Sequence, residues 1–293
     1  MQRSDQTLGL ALGLLGVIIF GGSLPATRLA VSGGLDPLFM TAARAALAGL
    51  AAVAVLVVMR RRPPWPHFRL LFVAMLCLAI LFPGLAAFAL TTVPAAHGGV
   101  ILALLPLATA AAAFAFAGER PSLKFWLFAV LGSALVVAFA LRDGIVVVTG
   151  DAYLFLVVIV GGVGYAVSGR LAREMPGWEV ISWALVICLP VSLPAAVLLW
   201  PHDIDAVETS AWLGLAYSAM MVQYVGFWAW NAGLAIGGVA RVGQVQLLQP
   251  FVTFVLAAIF LSERIDIVMV GFAIAVVTVV ALGRRAAVGV RAS

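Results

Sequence analysis

Residues 104–120 read LLPLATAAAAFAFAGER, and residues 248–264 read LQPFVTFVLAAIFLSER. Pro106, Glu119 and Arg120 of the first stretch recur as Pro250, Glu263 and Arg264 of the second, each 144 positions on (106 to 250). Thr109, Ala113 and Phe116 return at the same offset as Thr253, Ala257 and Phe260, and upstream Gly99 and Leu104 return as Gly243 and Leu248. Ala, Val and Leu match by chance in a chain this rich in them, so the scarcer Pro, Glu and Arg carry the weight. A repeat of nearly half the chain implies two similar units, 1–145 and 146–293, that face each other across an interface.

With 65% hydrophobic and 10% charged residues and a mean hydropathy of +1.18, the chain has too little polar surface for a soluble globule. The sequence therefore predicts an all-α membrane protein. A bilayer span takes roughly 20 apolar residues, and ten charge-poor segments fit, centred near residues 20, 48, 80, 106, 132, 162, 188, 222, 250 and 274. The apolar run from Leu8 reads as the first span rather than a signal peptide, because no small-x-small pattern closes it. The connections leave no room for a soluble motor or receptor domain.

The net charge of +5 reflects topology, not nucleic-acid binding. With the N-terminus inside, the inner side holds Arg3, the Arg60-Arg61-Arg62 run with Arg69, Arg120, Lys124, Arg170, Arg173, Arg241, Arg284, Arg285 and Arg291. The outer connections hold Arg142 and Arg264, while Arg28 and Arg44 fall within spans. Both termini are accordingly expected in the cytoplasm. Five spans per repeat is an odd number, so the second five-helix unit enters the membrane from the opposite side and the repeats are inverted.

Pro25, Pro83, Pro106, Pro190, Pro194 and Pro250 stand within spans. Each removes a backbone donor and frees a carbonyl one turn back. Pro25, Pro106 and Pro250 are the candidate kink and gating positions. Gly9-x-x-x-Gly13 and Gly233-x-x-x-Gly237 have the spacing of close helix packing, expected within one molecule. Gly161-Gly162-x-Gly164 reads the same way. Cys77 and Cys188 fall in apolar segments as small hydrophobes rather than a disulfide. Oligomeric state is not legible.

All twelve acidic residues can be placed at span ends or beyond, so the intramembrane carboxylate expected of a proton-coupled carrier is missing. His97, near the outer end of span four, is the one residue placed to relay a proton; interfacial packing is its other reading. Arg44 stands eight residues into span two from Asp36-Pro37, roughly 12 Å below the outer end, with no acid at its depth. It reads either as a carboxylate site or as a structural Arg on backbone carbonyls. Arg28, closer to the end, is expected to snorkel.

Gln223, Asn231, Gln244, Gln246 and Gln249 match Ala79, Ala87, Val100, Leu102 and Leu105 at the repeat offset, so polarity breaks the symmetry. Gln246, Gln249 and Thr253 share a face of helix nine; Tyr224, Trp228 and Asn231 share one of helix eight, with Gln223, Phe227 and Trp230 beside them. Tyr165 and Ser168 share a face of helix six, and Trp183 stands in helix seven roughly where Arg44 stands in helix two. An aromatic wall with a few amides suits a small amphipathic ligand. The candidate substrate-binding set is therefore Arg44, Tyr165, Trp183, Tyr224, Trp228, Asn231, Gln246 and Gln249.

Enzyme signatures are lacking: the chain holds no His-Glu-x-x-His, no Cys-x-x-Cys and no phosphate-loop Lys. No metal or cofactor is expected, and the partners are a small-molecule substrate and the lipid bilayer.

Ten spans in two inverted halves, each with a mid-helix Pro and a Glu thirteen residues on, resemble the EamA-like carriers of the drug/metabolite transporter (DMT) superfamily. The likeness covers essentially the whole chain. Phe20-Gly21-Gly22-Ser23 with Arg28 looks like the family's first-helix signature, where Trp-Gly is more usual, and Arg44 matches its helix-two Arg. Within the superfamily the chain looks closest to the YddG-type bacterial inner-membrane exporters of aromatic and other amino acids, which also act on some cationic drugs. The resemblance implies an alternating-access exporter. A carrier of drugs or other metabolites, and a non-transporting membrane scaffold, are the rival readings.

Overall fold

The computed structural model describes residues 3–105, 107–109, 111–112, 123–140, 149–172, 174–237 and 243–286, and every regular element among them is helical. Helix α1 (Arg3–Gly21) breaks at Gly22 and continues as α2 (Ser23–Ser32); α3 spans Pro37–Val58. Helix α4 (Phe68–Met75) passes through a π segment (Leu76–Leu81) into α5 (Phe82–Thr92), followed by α6 (Ala95–Leu102) and α7 (Leu123–Ala140). The second repeat runs through α8 (Thr149–Leu171) and α9 (Gly177–Leu198) to α10 (Thr209–Ala216). That helix passes through a π segment (Tyr217–Val225) into α11 (Gly226–Gly237). Then come a short 3₁₀ stretch (Gly243–Leu248), α12 (Gln249–Leu261) and α13 (Ile267–Ala286).

Thr7–Ser32, Pro37–Val58, Trp65–Thr92, Thr149–Leu171 and Gly177–Leu198 are long and apolar enough to cross a bilayer, and Trp126–Leu135, Val245–Leu261 and Ile267–Val279 are shorter apolar helices. The membrane class read from composition is thus matched by helices of the required length. Pro106, Glu119, Arg120, Arg142, Arg173 and Arg241 lie outside the described residues.

The repeat is visible in the backbone. Moving Leu76–Leu81 by the sequence offset lands on 220–225, inside the second π segment, and Phe82, which opens α5, lands on Gly226, which opens α11. Each long pairing joins one repeat to the other: α1 lies along α11, α5 along α8, α3 along α9, α6 along α12 and α7 along α13.

Local sequence sets these approaches. Asp36 caps α3, its Oδ1 accepting from the Leu38 and Phe39 amides at 2.8 and 3.1 Å, with Pro37 in the first turn. At the α1–α11 crossing a Cβ on Gly233 would stand 2.7 Å from the Gly13 nitrogen and 2.9 Å from the Gly9 oxygen. The two Gly-x-x-x-Gly stretches therefore meet inside one molecule, and only hydrogen side chains allow the backbones so close. Gly161, Gly162 and Gly164 admit Phe82, Ala108 and Leu78 in the same way. Cys77 and Cys188 are buried free thiols.

The connections gather at two ends. At one, Glu208 donates its amide to the Gly33 carbonyl at 2.9 Å, and Glu263 accepts from the Ala95 and Ala96 amides. At the other, Arg61 pairs with Glu179 at 3.2 Å and His67 with Glu174 at 3.1 Å.

Gly233→Val should lower unfolding stability in micelles by about 1 to 3 kcal/mol through overpacking. Gly271→Val, where nothing lies within 4 Å of the added Cβ, should leave it unchanged; reversible denaturant titration of both variants checks the difference.

Candidate binding site

Where the two repeats meet, a cavity of about 20 Å³ is lined by Phe20, Ser23 and Leu24 at the α1–α2 break, Arg44 of α3, Leu78 and Phe82, Leu102 of α6, Tyr165 of α8, Val222, Gln223 and Phe227, and Gln249 of α12. That is room for roughly a single water, so a larger guest requires the walls to part. A neighbouring void of about 10 Å³ is lined by Gln246, Gln249, Pro250 and Thr253, with Leu24, Gly99 and Leu102. Leu24, Leu102 and Gln249 border both.

Arg44 is 4% exposed, and its Nε donates to Gln223 Oε1 at 2.9 Å. Gln223, 1% exposed, donates in turn from Nε2 to the Leu78 carbonyl at 3.0 Å. That carbonyl is vacant for a reason written in the sequence. In the π segment the Phe82 amide turns to the Cys77 carbonyl, five residues back; the residue placed to serve Leu78 in that register is Pro83, which has no N–H.

A second case lies nearby, where Pro25 cannot bond the Gly21 carbonyl and Thr253 Oγ1 fills it from the other repeat at 2.9 Å. The sequence expectation that in-span prolines free carbonyls is met at both places. Arg28 reaches the Leu90 carbonyl.

Among the described residues no carboxylate lines the cavity. It offers one guanidinium, the amides of Gln223 and Gln249, the hydroxyls of Ser23 and Tyr165, and aromatic faces. Phe20 meets Phe227 edge-on at 5.1 Å between ring centroids, and Tyr165 lies 6.1 Å from Phe227. Such a site can hold an anionic group at one end and an apolar or flat group at the other.

The structure thus brings together Arg44, Tyr165 and Gln249 of the expected residues, with Gln246 and Pro250 on the adjoining void. Pro25 is buried in α2; Pro106 is outside the described residues. Trp183, Tyr224, Trp228 and Asn231 do not line the cavity. Tyr224 Oη sits 3.1 Å from Ser182 Oγ, Trp228 stacks 5.5 Å from Trp178, and Asn231 donates to the Gly177 carbonyl at 2.9 Å. The Trp183 indole N–H has no acceptor among the described residues, and Trp228 lies edge-on to Tyr224 at 5.3 Å between ring centroids.

Two stripes lie side by side on this helix: Gln223 and Phe227, four residues apart, line the cavity, while Tyr224 and Trp228 face α9. The signal for Gln223 was present in the sequence as a buried amide replacing Ala79.

His97 has an acid partner that linear reading missed. Its Nε2 lies 2.7 Å from Asp151 Oδ1, and its ring lies 4.7 Å from Phe139. Asp151 stands in the first turn of α8, at a helix end as expected, yet only 1% exposed.

The EamA-like transporter family matches residues 7–140 and again 148–283. The chain belongs to this family. It is 46% identical over 275 residues to the "Uncharacterized transporter YdeK" of Bacillus subtilis (strain 168), across 93% of this chain and 96% of that one. A solved crystal structure aligns with a TM-score of 0.65 at 19% identity, covering 96% of this chain and 98% of its own, which supports the fold. The protein is therefore a transporter of the DMT superfamily and a multi-pass membrane protein.

Thr253→Val should cost about 1 kcal/mol by orphaning the Gly21 carbonyl. Thr278→Val, which loses only a bond to its own helix at Ile274, should cost less; paired thermal melts in one detergent give the comparison.

Proposed function

We propose that this chain is an exporter of amino acids, preferring aromatic or apolar side chains, in the bacterial cytoplasmic membrane. Ten spans form two inverted halves, 1–145 and 146–293, that alternate access around the cavity, with both termini in the cytoplasm. The observation that carries this reading is Arg44, a buried cation facing a cavity that no acid among the described residues lines.

In this reading the substrate carboxylate meets Arg44, its ammonium is oriented by the side-chain oxygens of Gln249 and Gln246, and its side chain lies against Phe20, Tyr165 and Phe227. Trp183, Tyr224, Trp228 and Asn231, held apart here, meet the substrate as the α9–α11 face opens. Pro25, Pro106 and Pro250 supply the points of helix bending. A cationic drug is disfavoured next to an uncompensated guanidinium.

Among the described residues no carboxylate lines the cavity, which supports facilitated rather than proton-driven transport. His97 of α6 and Asp151 of α8, which do not line the cavity, are the relay pair to test.

Uptake of labelled phenylalanine, tryptophan, methionine and threonine into liposomes, with and without a pH gradient, tests this. The expected result is saturable flux that ignores the gradient and drops at least about tenfold in Arg44→Ala, the loss of a charge-assisted contact. Gradient-dependent flux lost in Asp151→Asn would make His97 and Asp151 the coupling site. Wild-type flux of methyl viologen but of no amino acid would put the drug reading in its place, and flux of neither would favour a scaffold.

A further inference from the structure

We infer that Gln223 is a positioning residue for the substrate carboxylate, fixing which edge of Arg44 faces the cavity. This rests on the proposed role of Arg44. A guanidinium can grip a carboxylate through two Nη nitrogens or through Nε and one Nη. The Arg44 Nε is taken by Gln223 at 2.9 Å, so the second mode is blocked. Neither Nη nitrogen has a hydrogen-bond partner among the described residues, and neither is a fully enclosed orphan. The end-on pair is what the cavity receives.

The amide cannot turn over. Arg44 only donates and the Leu78 carbonyl only accepts, so each partner admits one end of Gln223. Pro83 keeps that carbonyl free in the π register, and the Gln223 side chain lies buried between α3 and the π segment below α5. The anchor is therefore backbone, which holds the guanidinium more rigidly than a second flexible side chain. Only one repeat carries it, because the matching residue is Ala79. An acid at position 223 would hold Arg44 as well, but it would neutralise the charge and set oxygen against the Leu78 oxygen.

The test compares Gln223→Met, which keeps the volume, with Gln223→Glu, using phenylalanine and the uncharged analogue 2-phenylethanol as ligands. In Gln223→Met the KM for phenylalanine should rise about tenfold while maximal flux stays within about threefold, the signature of a lost binding geometry. Gln223→Glu should abolish phenylalanine flux while the protein still folds, shown by an unchanged size-exclusion profile. Binding of 2-phenylethanol by thermal shift should be unchanged in Gln223→Met. An unchanged KM, or an equal loss for both ligands, overturns the inference in favour of a packing role.

A second readout stands apart from transport. The ¹⁵N-labelled Arg44 Nε–H resonance, identified by its loss in Arg44→Lys, should move in Gln223→Met. If wild type carries no amino acid, the amino-acid reading fails by itself, and this resonance still decides Gln223: a signal that does not move rejects the positioning role.

Discussion

A charged side chain at the depth of Arg44 costs about 2.5 to 3.5 kcal/mol on insertion scales unless something answers it. Most buried charges are answered by an opposite charge. Here the partner is an amide, and that choice matters. A carboxylate beside Arg44 would satisfy it permanently and leave a neutral cavity, whereas Gln223 stabilises one N–H and leaves the positive charge undiminished. The site is held together by a bond that does not compete in charge with an incoming anion.

That arrangement depends on proline. Leu78 and Gly21 both present carbonyls that Pro83 and Pro25 cannot bond, and both are answered from the second repeat, by Gln223 and Thr253. The acceptors lie in one half and the donors in the other. This accounts for one part of the uneven polarity, Gln223 against the non-polar Ala79, whereas Thr253 keeps a Thr mate, Thr109, that bonds back to the Leu105 carbonyl of its own turn. Interhelical bonds of this kind contribute about 0.6 to 2 kcal/mol each. They are strong enough to set the register of two halves and weak enough to be exchanged.

The fold was legible because its signals are local or periodic. Apolar run lengths, the spacing of Pro106 and Pro250 with their following Glu, and glycine spacing depend only on neighbours along the chain, and the close approach of Gly233 to Gly9 and Gly13 follows from them. Arg44, Tyr165 and Gln249 were legible because a buried polar group needs an explanation wherever it stands. The helix-eight face was not. Tyr224, Trp228 and Asn231 do share one face, but it is turned to α9, where Ser182, Trp178 and the Gly177 carbonyl meet them, and helical spacing alone does not say which face fronts the cavity. The partner of His97 was hidden for another reason: Asp151 is 54 residues away, in the other repeat, and reads as a helix-end acid until the fold buries it.

The two ends of the bundle are closed by different physics. At one, Asp151 and His97 meet at 2.7 Å with side chains 2% and 16% exposed, and Glu263 holds the first amides of α6. These contacts are mostly buried and little screened by salt. At the other, the half-exposed Arg61 pairs with the buried Glu179, and His67 and Glu174 are partly exposed. An exposed pair such as His67 with Glu174 contributes about 0 to 1 kcal/mol. In the proposed orientation the more open end faces the cytoplasm, and the proposed cycle has the halves part there first. Opening the other end means hydrating the buried contact between His97 and Asp151 and releasing a clasped helix terminus. A substrate that engages both halves through Arg44 and Gln249 is a fitting source for that larger cost, which would tie outward release to occupancy of the site.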